Sequence, residues 1–87
     1  MSKREKKFMF INKSKDGSNN LCGKKIAELR KNLKISQRIL ADRLQLSGLD
    51  IDKNAVQRIE SGQRFVTDIE LLALADFFGI SADSLLR

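Results

Sequence analysis

Apolar residues recur at helical spacing from Leu21 onward, and short polar turns separate the stretches that carry them. In the first stretch Ile26, Leu29 and Leu33 are three and four residues apart, which places them on one side of a helix. Asn20 is a favourable N-cap residue, so the first predicted helix begins after it.

The next two predicted helices lie on either side of a polar connection, residues 45–50. Ser36 is a suitable cap for a helix that runs through Leu44 and buries Leu40, Ala41 and Leu44. A third helix is predicted over about residues 52–61, because Gly62 is the residue type favoured just past a helix end. Its predicted inward side chains are Ala55, Val56 and Ile59, and its outer face holds Lys53, Asn54, Gln57 and Arg58.

The strongest local signal is Thr67-Asp68-Ile69-Glu70, the pattern of a capping box in which two side chains satisfy backbone N–H groups at a helix start. A fourth helix is predicted from there to Gly79. We expect it to be central and buried on several sides, because its apolar residues exceed one stripe: Leu71, Leu72, Leu74, Ala75, Phe77 and Phe78. Ser81 is a suitable cap for a short fifth helix with Leu85 and Leu86. The expected fold class is therefore all-α, a compact domain of five short helices.

The composition removes several classes of function. The 87 residues suffice for one small domain, and they include no histidine and a single cysteine, Cys22. A zinc site of paired Cys and His residues and an intramolecular disulfide are thereby excluded. No serine has a histidine base, so we expect no enzyme, cofactor or metal, and we interpret Cys22 as an apolar filler. No apolar run approaches the roughly 20 residues of a membrane span, so we expect no membrane association, no export signal and a cytoplasmic location.

Positive charge is concentrated in the first three quarters of the chain. The net charge is +6, of which residues 1–20 contribute +4, residues 21–64 contribute +5 and residues 65–87 contribute −3. A basic excess of this kind indicates an acidic partner such as nucleic acid. The acidic last part of the chain is the end that DNA should avoid.

The first twenty residues are predicted to form a flexible basic arm, followed by a domain over residues 21–87. The arm closes with Gly17-Ser18-Asn19-Asn20, a composition typical of flexible linkers. Three interpretations of the arm stay open: a disordered tail attracted to phosphate, a strand that pairs through Phe8 and Phe10, or an extension that enters the minor groove.

The outer face of the third predicted helix has the chemistry of a base reader. An α-helix fits the major groove, where Asn and Gln match the N6 and N7 edge of adenine and Arg and Lys match O6 and N7 of guanine. A merely solvated helix face carries the same residue types, so this face alone leaves both interpretations open.

Several short pieces of the chain, in this order, resemble the phage-repressor type of helix-turn-helix family, also called the xenobiotic-response-element family. The pieces are Ile26-Ala27-Glu28-Leu29-Arg30, Ile35-Ser36-Gln37 with Leu40-Ala41, Val56-Gln57-Arg58-Ile59-Glu60-Ser61-Gly62, and Leu71-Leu72-Ala73-Leu74-Ala75 with Phe78-Gly79-Ile80-Ser81. Together they cover about residues 21–86. The resemblance implies a five-helix domain that binds a DNA operator.

The resemblance also implies individual roles. Phosphate contacts fall on Gln37, Gln63 and Arg64, with Arg38 as a further candidate for DNA binding. Base contacts fall on Lys53, Asn54 and Arg58, with Gln57 beside them. A structural ion pair is implied between Arg30 and Glu60, which removes Arg30 from the base readers.

The chain departs from the family in one place, because its connection over residues 45–50 is longer than the family's tight turn. Asp50 and Asp52 at the start of helix three are suited to capping but would repel phosphate if they pointed into a groove. The leading hypothesis is a transcriptional repressor that binds double-stranded DNA as a homodimer, with helix three in the major groove. The alternative is an antitoxin-like or other protein-interaction module of the same fold, whose long connection binds a protein partner.

Overall fold

The computed structural model describes residues 17–87, and their backbone forms five helices. These are α1 (Gly23–Asn32), α2 (Gln37–Leu46), α3 (Lys53–Glu60), α4 (Asp68–Phe78) and α5 (Ala82–Leu86). No strand occurs between residues 17 and 87, and the predicted all-α fold of five helices is confirmed. Residues 1–16 lie outside the described residues, and so do the three interpretations of the basic arm.

Local capping chemistry sets most of the helix boundaries. Four helices begin at a side chain that accepts a backbone N–H three residues later, and the caps are Ser36, Asp52, Thr67 and Ser81. The capping box is complete, because Thr67 Oγ1 accepts the Glu70 N–H at 3.1 Å and Glu70 Oε1 accepts the Thr67 N–H at 3.1 Å. Gly79 ends α4 in the left-handed conformation with φ of 69°. These predicted starts and ends are confirmed, although α2 extends past Leu44 to Leu46.

The core forms where α2 and α3 pack against each other and where α1 and α4 cover them. Its buried apolar side chains are Cys22, Ile26, Leu40, Ala41, Leu44, Ile51, Val56, Ile59, Leu74, Ala75 and Leu85. The predicted inward faces of α2 and α3 are thus largely confirmed. Leu33 departs from the prediction and is half exposed, because α1 ends at Asn32 and Leu33 already belongs to the turn.

The connection between α2 and α3 contributes to the core, although its sequence predicted only a polar loop. Ile51 is fully buried, and Leu49 packs against the core as a half-buried side chain. The Gln45 side chain Nε2 donates to the Ile51 carbonyl oxygen at 3.0 Å. The burial of Ile51 and this hydrogen bond hold the long connection against the rest of the domain.

The expectation that α4 is buried on several sides is wrong. Leu74 and Ala75 are buried, but Ile69 is 72% exposed and Leu72 is 59% exposed. A small domain buries a smaller share of its surface than a large one, which is in line with the uncovered side of α4. α4 therefore packs against α2 and α5 on one side and exposes apolar side chains on the other.

Asn19 and Asn20, which the sequence placed in the linker, are both hydrogen-bonded to residues at and just after the end of α3. The Asn19 backbone N–H donates to the Gly62 oxygen at 2.7 Å, and its side chain Nδ2 donates to the Gln63 oxygen at 2.9 Å. Asn20 Nδ2 donates to the Ile59 and Arg64 oxygens at 3.1 and 2.8 Å. We call these two residues the asparagine clasp, and they join the folded domain.

Candidate nucleic-acid interface

The outer side of α3 carries polar side chains next to one another. Val56 and Ile59 turn into the core, which leaves the opposite side of this two-turn helix to solvent. Its exposed side chains are Lys53, Asn54, Gln57 and Arg58, as the spacing predicted. An open groove continues this surface beyond the helix end and is lined by Asn54, Gln57, Arg58, Ser61 and Gln63.

A bidentate ion pair fixes the C-terminal end of α3 against α1. Arg30 Nε lies 2.7 Å from Glu60 Oε2, and Arg30 Nη2 donates to Glu60 Oε1 at 3.1 Å. Arg30 Nη1 also donates to the Ile35 oxygen at 2.8 Å, and the hydrogen bond to Glu60 is the main reason that the Arg30 pKa is raised. The ion pair implied by the resemblance is present, and it holds the Arg30 guanidinium against Glu60 at the end of α3.

Gln37 joins the same network from the first residue of α2. Its side chain Nε2 donates to Glu60 Oε1 at 2.9 Å, so the starting residue of α2 and the last residue of α3 are directly linked. This bond fixes the two helices relative to each other. Gln37 is half buried as a result, while its neighbour Arg38 is exposed.

Arg64 is paired within the domain. Its guanidinium donates to both carboxylate oxygens of Glu70, at 2.9 and 3.1 Å, and to the Phe65 carbonyl oxygen at 3.2 Å. The hydrogen bond from Arg64 is also the main reason that the pKa of Glu70 is lowered. The Arg64 side chain is 30% exposed and its charge is partly compensated, whereas Gln63 beside it is exposed.

A family model described as helix-turn-helix matches residues 26–85, which is well over half of the chain. The chain belongs to the Cro/repressor-type helix-turn-helix family. The family is one of DNA-binding regulators, so the protein is in general terms a DNA-binding helix-turn-helix regulator. No curated protein and no solved structure gives a significant match to the chain.

The acidic start of α3 has a structural use in this helix-turn-helix protein. Asp52 Oδ1 accepts the Ala55 N–H at 2.8 Å, which places the carboxylate at the positive end of the helix. Asp50 precedes it as an exposed residue of the long connection. The connection therefore supplies the N-cap of α3.

Sequence reasoning missed two parts of the surface around the helix-turn-helix. Ser61 lines the groove with the α3 residues, although the pattern marked it only as the helix end. The asparagine clasp adjoins Gln63, and its composition was typical of a linker. Nothing in the local spacing indicates either contact, because the clasp bonds to residues about forty positions further along the chain.

Other site types are limited within residues 17–87. No helix in this range is long and apolar enough to cross a membrane, and no group of three acidic or cysteine side chains is arranged to hold a metal ion. Cys22 is buried, and burial raises the pKa of its thiol. The thiolate is therefore disfavoured, as the interpretation of Cys22 as an apolar filler requires.

Proposed function

We propose that the protein is a sequence-specific transcriptional repressor that binds an operator as a homodimer, with α3 of each copy in the major groove. The observation that carries the proposal is the row of exposed amide and cationic side chains on α3, next to an open polar groove. An α-helix fits the major groove, and these residue types match the edges of adenine and guanine. Repression then follows from occupancy of the operator and requires no catalysis.

The proposed contacts divide into two sets. Lys53, Asn54 and Arg58 face bases, with Gln57 between them, because they occupy the exposed side of α3. The proposed phosphate contacts are Gln37, Arg38, Gln63 and Arg64, and they fix the register of the protein on the duplex. For Arg64 this contact competes with Glu70, whose carboxylate already accepts two hydrogen bonds from the guanidinium.

Selection from a pool of random duplexes tests the proposal as a whole. We expect enrichment of one sequence, present as two half-sites separated by about one helical turn, since a two-fold symmetric dimer reads a symmetric operator. Enrichment of a single half-site would contradict the dimer. No enrichment at all would contradict sequence-specific recognition.

Asn54 provides the residue-level test. Asn54→Ala should weaken binding to the selected operator by about 1–3 kcal/mol and leave binding to random DNA nearly unchanged. Asn32→Ala is the matched control, since Asn32 is an exposed asparagine on α1 outside the proposed contacts. Equal losses on both DNAs would show that Asn54 does not read bases.

A protein-interaction module of the same fold is the second candidate, and one observation favours it. Leu46 is 88% exposed at the end of α2, where the long connection begins. A single exposed leucine is ordinary on a protein surface, but this one adjoins the connection that departs from the family, so a protein partner bound there would contact both. Co-purification of a partner that buries α3 and blocks DNA binding would replace the repressor proposal.

A further inference from the structure

Gly62, Gln63 and Arg64 lie just after the end of α3, and we call these three residues the post-helix segment. All of its backbone N–H groups donate to the last turn of the helix. The Gly62 N–H donates to the Ile59 oxygen at 3.1 Å. The N–H groups of the other two residues both donate to the Arg58 oxygen, at 2.8 and 3.2 Å. The segment is thus tied to α3 through its donors.

The asparagine clasp holds the same segment through its acceptors. The Asn19 N–H donates to the Gly62 oxygen at 2.7 Å, and Asn19 Nδ2 donates to the Gln63 oxygen at 2.9 Å. Asn20 Nδ2 donates to the Arg64 oxygen at 2.8 Å. Every backbone N–H and carbonyl group of the post-helix segment therefore has a partner, although the segment belongs to no helix.

The clasp is itself fixed to the domain. Asn20 Oδ1 accepts the Gly23 N–H at 2.7 Å at the start of α1, and Asn20 Nδ2 also donates to the Ile59 oxygen in α3. Ser18 lies close against the buried Gly62, where a Cβ added to the glycine would be 2.5 Å from the serine Cβ. Residues on both sides of the clasp thus hold it in one place.

The post-helix segment adjoins the candidate interface. Gln63 is exposed and lines the polar groove, and Arg64 follows it with a 30% exposed side chain. A segment that is already held in one conformation loses less conformational freedom on binding than a mobile one, so it binds more tightly. The family match begins at residue 26, so the clasp lies before the part of the chain that the family model covers.

We propose that Asn19 and Asn20 are positioning residues for DNA binding, which hold the post-helix segment in the conformation that brings Gln63 and Arg64 to backbone phosphates. Neither asparagine touches the duplex, and their effect passes through the backbone of the segment. This inference rests on the proposed function, because it takes the two phosphate contacts from it. Phosphate contacts carry no sequence information, so the clasp raises the affinity for every duplex by the same factor.

Asn19→Ala in the full-length protein tests the proposal without changing the charge. It removes one donor to the post-helix segment and leaves the bonds of Asn20 in place. We expect the affinity to fall about two- to tenfold on the selected operator and on random duplex alike, because one hydrogen bond that preorganises the segment is lost. Asn32→Ala, an exposed asparagine of α1, is the matched control and should change neither affinity. All proteins are compared at a temperature where they are folded.

A double-mutant cycle distinguishes positioning from a general effect on stability. In a protein that already carries Gln63→Ala and Arg64→Gln, adding Asn19→Ala should change the affinity less than about twofold, because no contact is left to position. A loss of the same size in both backgrounds would overturn the inference, since the clasp would then act through another part of the protein.

Hydrogen exchange of the free protein gives a readout that does not depend on DNA. Asn19→Ala should speed exchange at the amides of Gln63 and Arg64, whereas the amides within α3 should keep their protection. Unchanged protection of the two segment amides would overturn the inference, because the segment would then hold its conformation without the clasp.

The outcomes separate this inference from the proposed function. An operator-selecting protein whose affinities ignore Asn19→Ala would overturn the inference alone, and so would a loss confined to the operator. A protein that binds random duplex with the expected coupling but selects no sequence would overturn the proposed function alone. A protein that binds no DNA would overturn both.

Discussion

α3 and α4 each bury one side and expose the other, but the exposed sides differ in chemistry. On α3 the exposed residues are Lys53, Asn54, Gln57 and Arg58. On α4 they are Asp68, Ile69, Leu72 and Asp76. The first surface is polar and cationic, and the second is apolar and acidic.

The contrast indicates which surface suits a polyanion. α3 lies in a part of the chain with ten basic and five acidic residues, whereas residues 65–87 hold one basic and four acidic residues. DNA approaching α4 would meet repulsion and lose solvation of the acidic side chains without compensation. One small domain therefore presents a cationic face with the chemistry that suits a polyanion and an acidic face that disfavours one.

The packing of α3 against α1 depends on a close approach that only glycine permits. Gly23 begins α1 directly against the end of α3, and a Cβ there would collide with the Ile59 carbonyl oxygen and lie 2.9 Å from Asn20 Oδ1. Gly23→Ala should therefore lower the free energy of unfolding by about 3 kcal/mol, because backbone atoms must move to relieve the overlap. Urea denaturation measures this loss.

Gly48→Ala is the control for the Gly23 prediction. Gly48 has φ of 99° but no atom within 4 Å of an added Cβ, so its substitution carries only the cost of a left-handed conformation, about 1–2 kcal/mol. The Gly23→Ala protein should therefore be the less stable of the two. Equal stability would show that α1 and α3 adjust to the added methyl group.

The comparison also shows which features the sequence could predict. The cap of α2 and the capping box of α4 connect residues three positions apart, so local patterns located them. The exposed side of α3 followed from helical periodicity alone. These features need no knowledge of how the helices pack.

The Arg30–Glu60 ion pair was implied by the resemblance, but several other features that depend on tertiary packing were missed. Asn20 bonds to a carbonyl 44 residues away, and Ile51, directly after the connection that was predicted as polar, is fully buried in the core. The exposure of Leu72 depends on how many neighbours α4 has, which a run of apolar residues does not reveal. The pairing of Arg64 with Glu70 likewise became visible only in three dimensions.

The pairing of Glu70 with Arg64 at the start of α4 predicts an effect of pH on stability that is smaller than the effect of Gly23→Ala. Hydrogen bonds from Arg64 hold the pKa of Glu70 below its ordinary value of 4.5, so the folded state binds this proton less readily than the unfolded state. The resulting stability is present above about pH 4.5 and is lost as the pH falls through the lowered pKa of the folded state. We expect a loss of about 1 kcal/mol or less, because the pair is partly exposed to solvent.

Thermal melts of two variants across pH 3–6 isolate this contribution. Glu70→Gln should be less stable than the parent at pH 6 and should lose less stability on acidification. Asp76→Asn removes an exposed carboxylate from the outer side of α4 and serves as the matched control. Its melting temperature should change with pH in the same way as that of the parent. A Glu70→Gln profile parallel to the parent would show that the Arg64 pair does not contribute.

The outer side of α4 gives the smallest expected effect. Ile69 and Leu72 are mostly exposed, so Ile69→Ser and Leu72→Ser should each change the free energy of unfolding by no more than about 0.5 kcal/mol. Leu74→Ala on the buried side of the same helix is the contrasting control, with an expected loss of about 2–5 kcal/mol.

The mass of the protein in solution, measured by sedimentation beside the thermal melts, tests whether a second copy covers the outer side of α4. If Ile69→Ser lowers both the mass and the melting temperature, a second copy covers this face in solution, and the acidic, apolar side of the domain is then the dimer contact. If neither changes, the proposed homodimer on DNA uses another surface.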